Sequence, residues 1–184
     1  MPDHRLFNKD LAGGAILDVG LYPISFSRLV AGAASGDKFL EPEFINAEAK
    51  IGETEVDEIA HANIKFKNGI EAKVSTAIRE SMKNNAIIKG TNGTIELPDP
   101  WMPGRDGGPY HANIIIKQSN ETKIIDIKGP EHLFFFEAEL ASQSIAKEKV
   151  QAPHPAMSWD DTLGNLKALD QWRDRVNYQL PQDN

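Results

Sequence analysis

The stretch that decides the fold is Ala12-Gly-Gly-Ala-Ile-Leu-Asp-Val-Gly-Leu-Tyr-Pro-Ile-Ser-Phe-Ser-Arg-Leu-Val30. Read at 3.6 residues per turn, it is apolar on almost every side, which is typical of a helix buried over most of its surface. Its one carboxylate, Asp18, lies four residues before Tyr22, which predicts that both side chains share one helical face, a turn apart. A buried carboxylate is costly unless it is paired, hydrogen-bonded or open to a polar cavity. The stretch is therefore either a core helix whose Asp18 caps or pairs with a neighbour, or a helix that presents a functional carboxylate.

Proline and glycine set further expectations for this helix, which we predict over residues 13–31. Pro23 has no N–H to donate to the carbonyl of Val19, so we expect a kink at the proline. Gly13, Gly14 and Gly20 lack side chains, which indicates that another group comes close to the backbone there.

The middle of the chain predicts a meander of antiparallel strands. From Asp57 the apolar residues alternate with period two, as in a half-buried strand. Asn68-Gly69 and Asn92-Gly93 each predict a hairpin with a type I′ turn, because both central positions of that turn need a positive φ. A third pair of strands is expected around residues 119–121.

Two helices are predicted after the strands, over about 132–147 and after Ser158. Ser158 and Asp161 have the spacing of a capping box, in which each side chain serves an open backbone amide. Helix, strands, helix and helix in this order predict an α+β fold, with a mainly antiparallel sheet that carries its helices on one face. We expect residues 1–184 to form one such domain. The apolar stripes predicted for the two late helices are Phe134, Ala138, Ala141 and Ile145, and Leu163, Leu166, Leu169, Trp172 and Val176.

Composition excludes several classes of function. A net charge of −7 leaves no basic stripe for phosphates, so nucleic acid is not an expected partner. The chain has no cysteine, which excludes disulfides, zinc-thiolate sites and thiol nucleophiles. It has no apolar run of membrane-spanning length and no secretory signal pattern, so we expect no membrane contact and a cytoplasmic location.

Other candidate sites are weaker. The five histidines show no metal-binding spacing, and we expect no metal site. The acidic run over residues 53–58 is interpreted as a solvated entry to a strand, with a cation site as the weaker alternative. The proline- and glycine-rich loop over 98–109 carries Trp101 and Arg105, which could touch a ligand, although a tryptophan more often packs such a loop onto the sheet.

One longer pattern points to a family. Gly13-Gly14-Ala15-x-x-Asp18-Val19-Gly20-x-Tyr22-Pro23, preceded by His4-Arg5-Leu6-Phe7, resembles the start of the C-terminal domain of the Gfo/Idh/MocA oxidoreductases. That family includes glucose-fructose oxidoreductase, inositol dehydrogenase and dimeric dihydrodiol dehydrogenase. The resemblance covers essentially the whole chain. It implies an open-faced antiparallel sheet, like that of the glyceraldehyde-3-phosphate dehydrogenase C-terminal domain, and a homodimer formed through the sheet face.

The resemblance also implies roles for particular residues. Asp18 and Tyr22 would face the nicotinamide and the substrate, with Tyr22 as acid/base and Asp18 as an orienting group. Arg5 would contact the substrate, and Gly13 and Gly14 would allow close approach of the cofactor. A tyrosine hydroxyl has an ordinary pKa of about 10, so a tyrosine base needs a positive charge nearby. In the family this charge is a lysine of a Glu-Lys-Pro motif on the N-terminal Rossmann domain, and these 184 residues contain no Glu-Lys-Pro.

No cofactor-binding half is expected within these residues. A dinucleotide fold needs Gly-x-Gly-x-x-Gly directly after a strand, and neither Gly13-Gly14 nor residues 104–108 meet that requirement. The N-terminal Rossmann domain is therefore predicted to be missing, and the chain alone to bind no dinucleotide and to be inactive. The full-length parent would use NAD or NADP to oxidise or reduce a hydroxyl of a sugar, polyol or dihydrodiol.

Two other hypotheses stay open. The chain could be a stand-alone binding or assembly module that keeps the fold without the chemistry. It could also be an unrelated α+β domain that matches the pattern by chance. A domain separated from its partner should expose the apolar surface that met the partner, and a hydrophobic dye would report that surface.

Overall fold

A computed structural model describes residues 4–103 and 110–183. The chain divides into two compact units, one of residues 1–82 with 153–184 and one of residues 83–152. Arg105, on the predicted ligand-contact loop, lies outside the described residues, while Trp101 is half-buried. The helices are α1 (Ala15–Asp18), α2 (Leu21–Ala33), α3 (Leu133–Ala146) and α4 (Trp159–Arg175), and the strands are β1 (Pro42–Ile51), β2 (Asp57–Phe66), β3 (Glu71–Ala77), β4 (Ala86–Gly90), β5 (Gly93–Leu97), β6 (Tyr110–Gln118) and β7 (Glu121–Gly129).

The first unit packs α1, α2 and α4 against the antiparallel sheet β1-β2-β3. The alternation predicted for β2 is confirmed, since its even-numbered apolar residues from 60 to 66 are buried. Phe44 of β1 meets Trp172 of α4, with ring centroids 6.1 Å apart. Fully burying one large apolar side chain stabilises a fold by about 1.5–3 kcal/mol, so this layer holds the unit together. The core consists of Ile16, Ile24, Ala31, Leu40, Phe44, Ala60, Ala62, Ile64, Phe66, Val74, Ala168, Leu169 and Trp172.

The single kinked helix predicted over 13–31 is wrong, because the structure contains the two helices α1 and α2 there. The segments Lys9–Asp18 and Leu21–Ala33 meet at an angle of 42°. The break falls at Val19 and Gly20, whose N–H groups both donate to the carbonyl of Ala15, at 3.1 and 2.9 Å. Pro23 is not the cause. It is the third residue of α2, in the first turn, where a helix has no internal acceptor for its N–H groups.

The capping box predicted at Ser158 is confirmed, and the apolar face predicted for α4 is confirmed only in part. The Ser158 hydroxyl accepts from the N–H of Asp161, and the Asp161 carboxylate accepts from the N–H of Ser158. Leu163 and Leu166 are more than half exposed. Leu169 and Trp172 of the predicted face are buried, and the helix also buries Gly164, Asn165, Ala168 and Arg173.

A buried arginine explains why the buried face of α4 is shifted from the predicted one. Arg28 of α2 is 1% exposed and donates from Nη1 to the Asn165 Oδ1 at 2.7 Å and to the Asp161 carbonyl at 3.0 Å. Its Nη2 donates to Glu41 at 2.7 Å. A Cβ on Gly164 would lie 2.0 Å from this Nη2, so the glycine leaves space for the guanidinium. A buried charge needs such partners, and they set which face of α4 turns inward.

The second unit contains the antiparallel meander β4-β5-β6-β7 and helix α3. α3 begins after His132, whose Nδ1 accepts from the N–H of Phe134 at 3.3 Å. The stripe predicted for this helix is not a buried face, since Phe134 is 56% and Ile145 76% exposed.

Hairpins occur where the sequence predicts them, but their turns are not type I′. The β2–β3 hairpin has a three-residue loop of Lys67, Asn68 and Gly69, in which only Gly69 has a positive φ, of 82°. This is typical of a type I turn followed by a left-handed glycine. In the β4–β5 hairpin Gly93 pairs with Gly90, so Gly93 belongs to the strand and not to the turn.

The fold class is confirmed: the chain is α+β, with antiparallel sheets. The strands form two sheets of three and four strands rather than one. The single domain over 1–184 stays a prediction. No single helix in the described part of the chain is long and apolar enough to cross a bilayer; the bent pair Lys9–Asp18 and Leu21–Ala33 passes by length and composition only.

Candidate active site

Two short 3-10 turns place Arg5 and the glycine pair. His4 caps the first turn through Nδ1, which accepts from the N–H of Leu6 at 3.3 Å. Asn8 caps the second, with Oδ1 accepting from the N–H of Asp10 at 3.0 Å. The chain then folds back on itself, since the N–H of Gly13 donates to the Asn8 carbonyl at 2.9 Å.

Arg5 and Asp18 form an ion pair. The Nη1 of Arg5 donates to Oδ1 of Asp18 at 2.7 Å, and the two side chains are 68% and 22% exposed. Asp18, which ends α1, is therefore paired with a neighbour, one of the arrangements expected for this carboxylate. An exposed pair of this kind contributes only about 0–1 kcal/mol to stability. Its main effect is to orient both side chains at the surface.

Tyr22 lies just beyond the helix break. It is the second residue of α2, its N–H donates to the Val19 carbonyl at 3.3 Å, and its side chain is 45% exposed. Asp18 and Tyr22 thus end one helix and begin the next, rather than lying a turn apart on one helix. Tyr22 is thus partly open to solvent.

The close approach predicted at Gly13 and Gly14 is made by atoms of this chain. A Cβ on Gly13 would lie 2.6–2.9 Å from three backbone carbonyl oxygens, and one on Gly14 would lie 2.1 Å from Oδ1 of Asp57. The Gly13 carbonyl itself accepts from the Tyr178 hydroxyl at 2.9 Å. The space that a side chain would take at these glycines is thus filled by the chain itself, and close approach of a cofactor to them stays a prediction.

Asp57 is a buried carboxylate that the sequence analysis missed. It was part of an acidic run interpreted as solvated, yet Asp57 is 0% and Glu58 8% exposed. Its Oδ2 accepts from the N–H of Ile16 at 2.7 Å, at the start of α1. Burial raises the pKa of Asp57 to about 6, although the backbone N–H groups of Ile16, Asp57 and Ala15, and then Arg173, act to lower it. The partner of this carboxylate is 41 residues away, which leaves no local sequence signal.

Within residues 4–103 and 110–183, the other polar groups do not form a metal centre. Among the described residues, no three histidine or acidic side chains come together as metal ligands. His111 contacts Asp126 across β6 and β7 at 2.7 Å, and Lys128 contacts the same carboxylate at 2.7 Å. Lys128 and then His111 hold the pKa of Asp126 below its usual value, as in an ordinary exposed ion cluster.

Sequence comparisons place these residues in a known context. A family model described as GFO/IDH/MocA C-terminal domain matches residues 1–96, which contain Arg5, Asp18, Tyr22 and Asp57. The trans-1,2-dihydrobenzene-1,2-diol dehydrogenase of Mus musculus is 22% identical over 97% of this chain and 51% of its own length. The enzyme of the same name from Danio rerio is 37% identical over 54% of this chain and 28% of its own length. The chain thus spans about half the length, or less, of the curated relatives it matches.

Solved structures share the fold. A 3-ketoreductase from Actinomadura kijaniata, in complex with NADP and TDP-benzene, aligns with a TM-score of 0.72 at 21% identity, over 96% of this chain and 50% of its own. An aldose-aldose oxidoreductase from Caulobacter crescentus, complexed with glycerol, aligns with a TM-score of 0.75 at 19% identity over the same shares. At such identities the likeness concerns the fold alone.

Proposed function

Because this chain belongs to the GFO/IDH/MocA C-terminal domain family, we propose that it is the catalytic and substrate-binding domain of an NAD(P)-dependent dehydrogenase. Its substrate would be a sugar, polyol or dihydrodiol, of which one hydroxyl group reacts. The observation that carries the proposal is the exposed Tyr22, which follows the Arg5–Asp18 ion pair directly across a helix break. The dihydrodiol is suggested by relatives named trans-1,2-dihydrobenzene-1,2-diol dehydrogenase.

Each of the three side chains has a role that its position allows. The Tyr22 hydroxyl transfers the proton of the substrate hydroxyl, since proton transfer must accompany the movement of a hydride. Asp18, held by Arg5 at 2.7 Å, accepts a hydrogen bond from the substrate or from the lysine of the Rossmann domain. Arginine carries five N–H donors, so Arg5 can bind a substrate oxygen while it holds Asp18.

The cofactor belongs to this proposal as NAD or NADP in the full-length parent. A bound nicotinamide would supply hydride transfer, taking a hydride from the carbinol carbon in oxidation or giving one to the carbonyl carbon in reduction. Arg5 and Tyr22 fit a ligand delivered from outside the domain because both side chains are exposed. The dinucleotide itself would be held by a Rossmann domain. We therefore expect the 184 residues alone to be inactive.

A fluorescence titration with NADH and NADPH tests whether the dinucleotide is bound by a Rossmann domain and not by these 184 residues. The purified chain should show no saturable binding up to millimolar cofactor, whereas a complete dehydrogenase relative, measured beside it, should saturate. Saturable binding by the chain would show a nucleotide site within these residues and would contradict the division proposed.

Adding back a Rossmann domain tests the function itself. The N-terminal half of a trans-1,2-dihydrobenzene-1,2-diol dehydrogenase is joined to this chain, and cofactor reduction is measured with the trans-dihydrodiol, aldoses and polyols. Turnover should require both halves. A well-folded fusion that binds NADP but turns over none of these substrates would favour the stand-alone binding or assembly module.

A homodimer is also part of the proposal. The four-stranded sheet leaves Ile87 and Ile124 at least half exposed, and a second copy could cover them. Sedimentation at micromolar concentration should give twice the monomer mass of 20.3 kDa, and Ile124→Lys should shift the chain toward monomer. A monomer at every concentration would contradict this. The cytoplasm stays the predicted location.

A further inference from the structure

Helix α1 is held at its start by side chains from three other parts of the first unit. Asp57, at the start of β2, accepts from the N–H of Ile16 at 2.7 Å. Thr76 of β3 donates to the Ala15 carbonyl at 3.1 Å. Tyr178, which follows α4, donates to the Gly13 carbonyl at 2.9 Å. All three of these side chains are buried.

We infer that Asp57 is a positioning residue for the proposed active site: by binding the N-terminus of α1, it sets where Asp18 meets Arg5. The helix has only four residues, and Asp18 is the last of them. With a rise of about 1.5 Å per residue, Asp18 lies only about 3 Å along the axis from the amide that Asp57 holds. So short a helix cannot absorb a shift at its start, and the shift reaches Asp18. The catalytic role of Asp18 rests on the proposed function. The contact between Asp57 and the start of α1 does not.

The local backbone is built around the carboxylate. Gly14 has φ of 111° and ψ of 160°, a region open essentially to glycine alone. Its missing side chain leaves the space that Oδ1 of Asp57 occupies. That oxygen has no hydrogen-bond partner among the described residues, while Oδ2 holds Ile16. An anion at the start of a helix is favourable because the open N–H groups carry partial positive charge.

The charge state of Asp57 gives this contact a pH dependence. Arg173 of α4 faces Asp57 and favours its ionised form, and Asp170 and Asp183 in turn pair with Arg173. Tyr178 is the other titratable group here; burial and then the nearby Asp57 raise its pKa to about 12, so it stays neutral. With the pKa of Asp57 raised to about 6, the carboxylate is ionised at pH 7 and protonated at pH 5.

Protonation affects the helix and the whole fold in opposite directions. The folded chain holds the Asp57 proton more tightly than the unfolded chain, where the pKa is near 3.8. Its contribution to stability is therefore fully present below pH 3.8 and is lost as the pH rises through 6. The bond from the Ile16 amide, by contrast, is stronger to the ionised carboxylate, so the start of α1 is held best above pH 6.

An NMR titration of the isotope-labelled 184-residue chain from pH 4.5 to 8 tests the inference. The Ile16 amide should shift with a midpoint near pH 6, and the Asp18 carboxylate carbon and the Arg5 guanidinium should show the same midpoint. Asp57→Asn should remove that midpoint from all three signals. Glu58→Gln, which neutralises the next buried acid along β2, should leave it in place.

The inference is overturned if the Asp18 and Arg5 signals do not follow the titration of Asp57, a result that the wild-type chain alone can give. The measurement needs no turnover, so it is independent of the proposed function.

In the active fusion, Asp57→Asn should also remove the part of the kcat–pH profile with a midpoint near 6. Below that pH we expect wild-type kcat to fall by roughly 10- to 100-fold, since a shift of about 1 Å can cost about 100-fold in rate. A further outcome is that Tyr22→Phe leaves turnover intact while the Asp18 and Arg5 signals still follow the titration of Asp57. That result would contradict the proposed function and support the positioning role of Asp57.

Discussion

Tyr22→Phe is expected to lower kcat of the fusion with a Rossmann domain by roughly 100- to 10,000-fold, the usual contribution of a general acid or base. The substitution removes only the hydroxyl that would carry the proton. Tyr22 is 45% exposed and lies outside the core, so the first unit should still fold. KM for the substrate should change much less than kcat, because the proton is transferred in the transition state and not in binding.

Ser27→Ala provides the matched control. It also removes one hydroxyl from α2, but that hydroxyl donates to the Pro23 carbonyl at 2.7 Å and serves the helix backbone. Turnover should survive this change. Equal activity of the Tyr22→Phe variant and the wild type would contradict the assignment of Tyr22 as acid/base.

Gly14→Ala is expected to destabilise the first unit by more than about 3 kcal/mol. A residue other than glycine in this backbone region costs about 1–3 kcal/mol by itself. In addition, the new Cβ would lie 2.1 Å from Oδ1 of Asp57, a separation that real Cβ atoms do not tolerate. For a chain of this size, each kcal/mol lowers the melting temperature by about 2–4 °C, which thermal unfolding followed by circular dichroism will measure.

Gly36→Ala measures the cost of a positive φ at a position where no collision occurs. Gly36 also has a positive φ, of 75°, but a Cβ there would meet nothing within 4 Å. Its cost should be only about 1 kcal/mol. In an Asp57→Ala background Gly14→Ala should cost less than in the wild type, because the collision partner is gone. Equal costs at Gly14 and Gly36 would refute the packing described around Asp57.

Local sequence signals succeeded where neighbours along the chain decide the structure. The alternation in β2 predicted its buried face, because side chains in a strand point alternately to the two sides. Ser158 and Asp161 predicted the start of α4, because both partners of a capping box lie within one turn. The positions of the hairpins were correct for the same reason. Their turn types were wrong, since Asn-Gly also suits other turns that place only glycine at positive φ.

In the candidate active site too, residues close together in sequence were predicted and contacts between distant residues were not. The pattern from Gly13 to Pro23, with the preceding His4–Phe7, identified the family and singled out Asp18, Tyr22 and Arg5, because these residues lie close together in the sequence. The roles of the three residues stay predictions. Asp57 and Tyr178 were not predicted, because their hydrogen-bond partners, Ile16 and Gly13, are 41 and 165 residues away along the chain.

The sequence by itself determined the α+β class, the positions of three hairpins, the capped helix α4 and the family, because each rests on contacts between near neighbours or on a contiguous motif. Only the tertiary structure decided the break between α1 and α2, the inward face of α4 and the burial of Asp57. The physical reason is that these features depend on polar groups that need partners inside the protein. Arg28 draws Asn165 inward, and the amide of Ile16 requires a carboxylate that only the folding of β2 beneath α1 supplies.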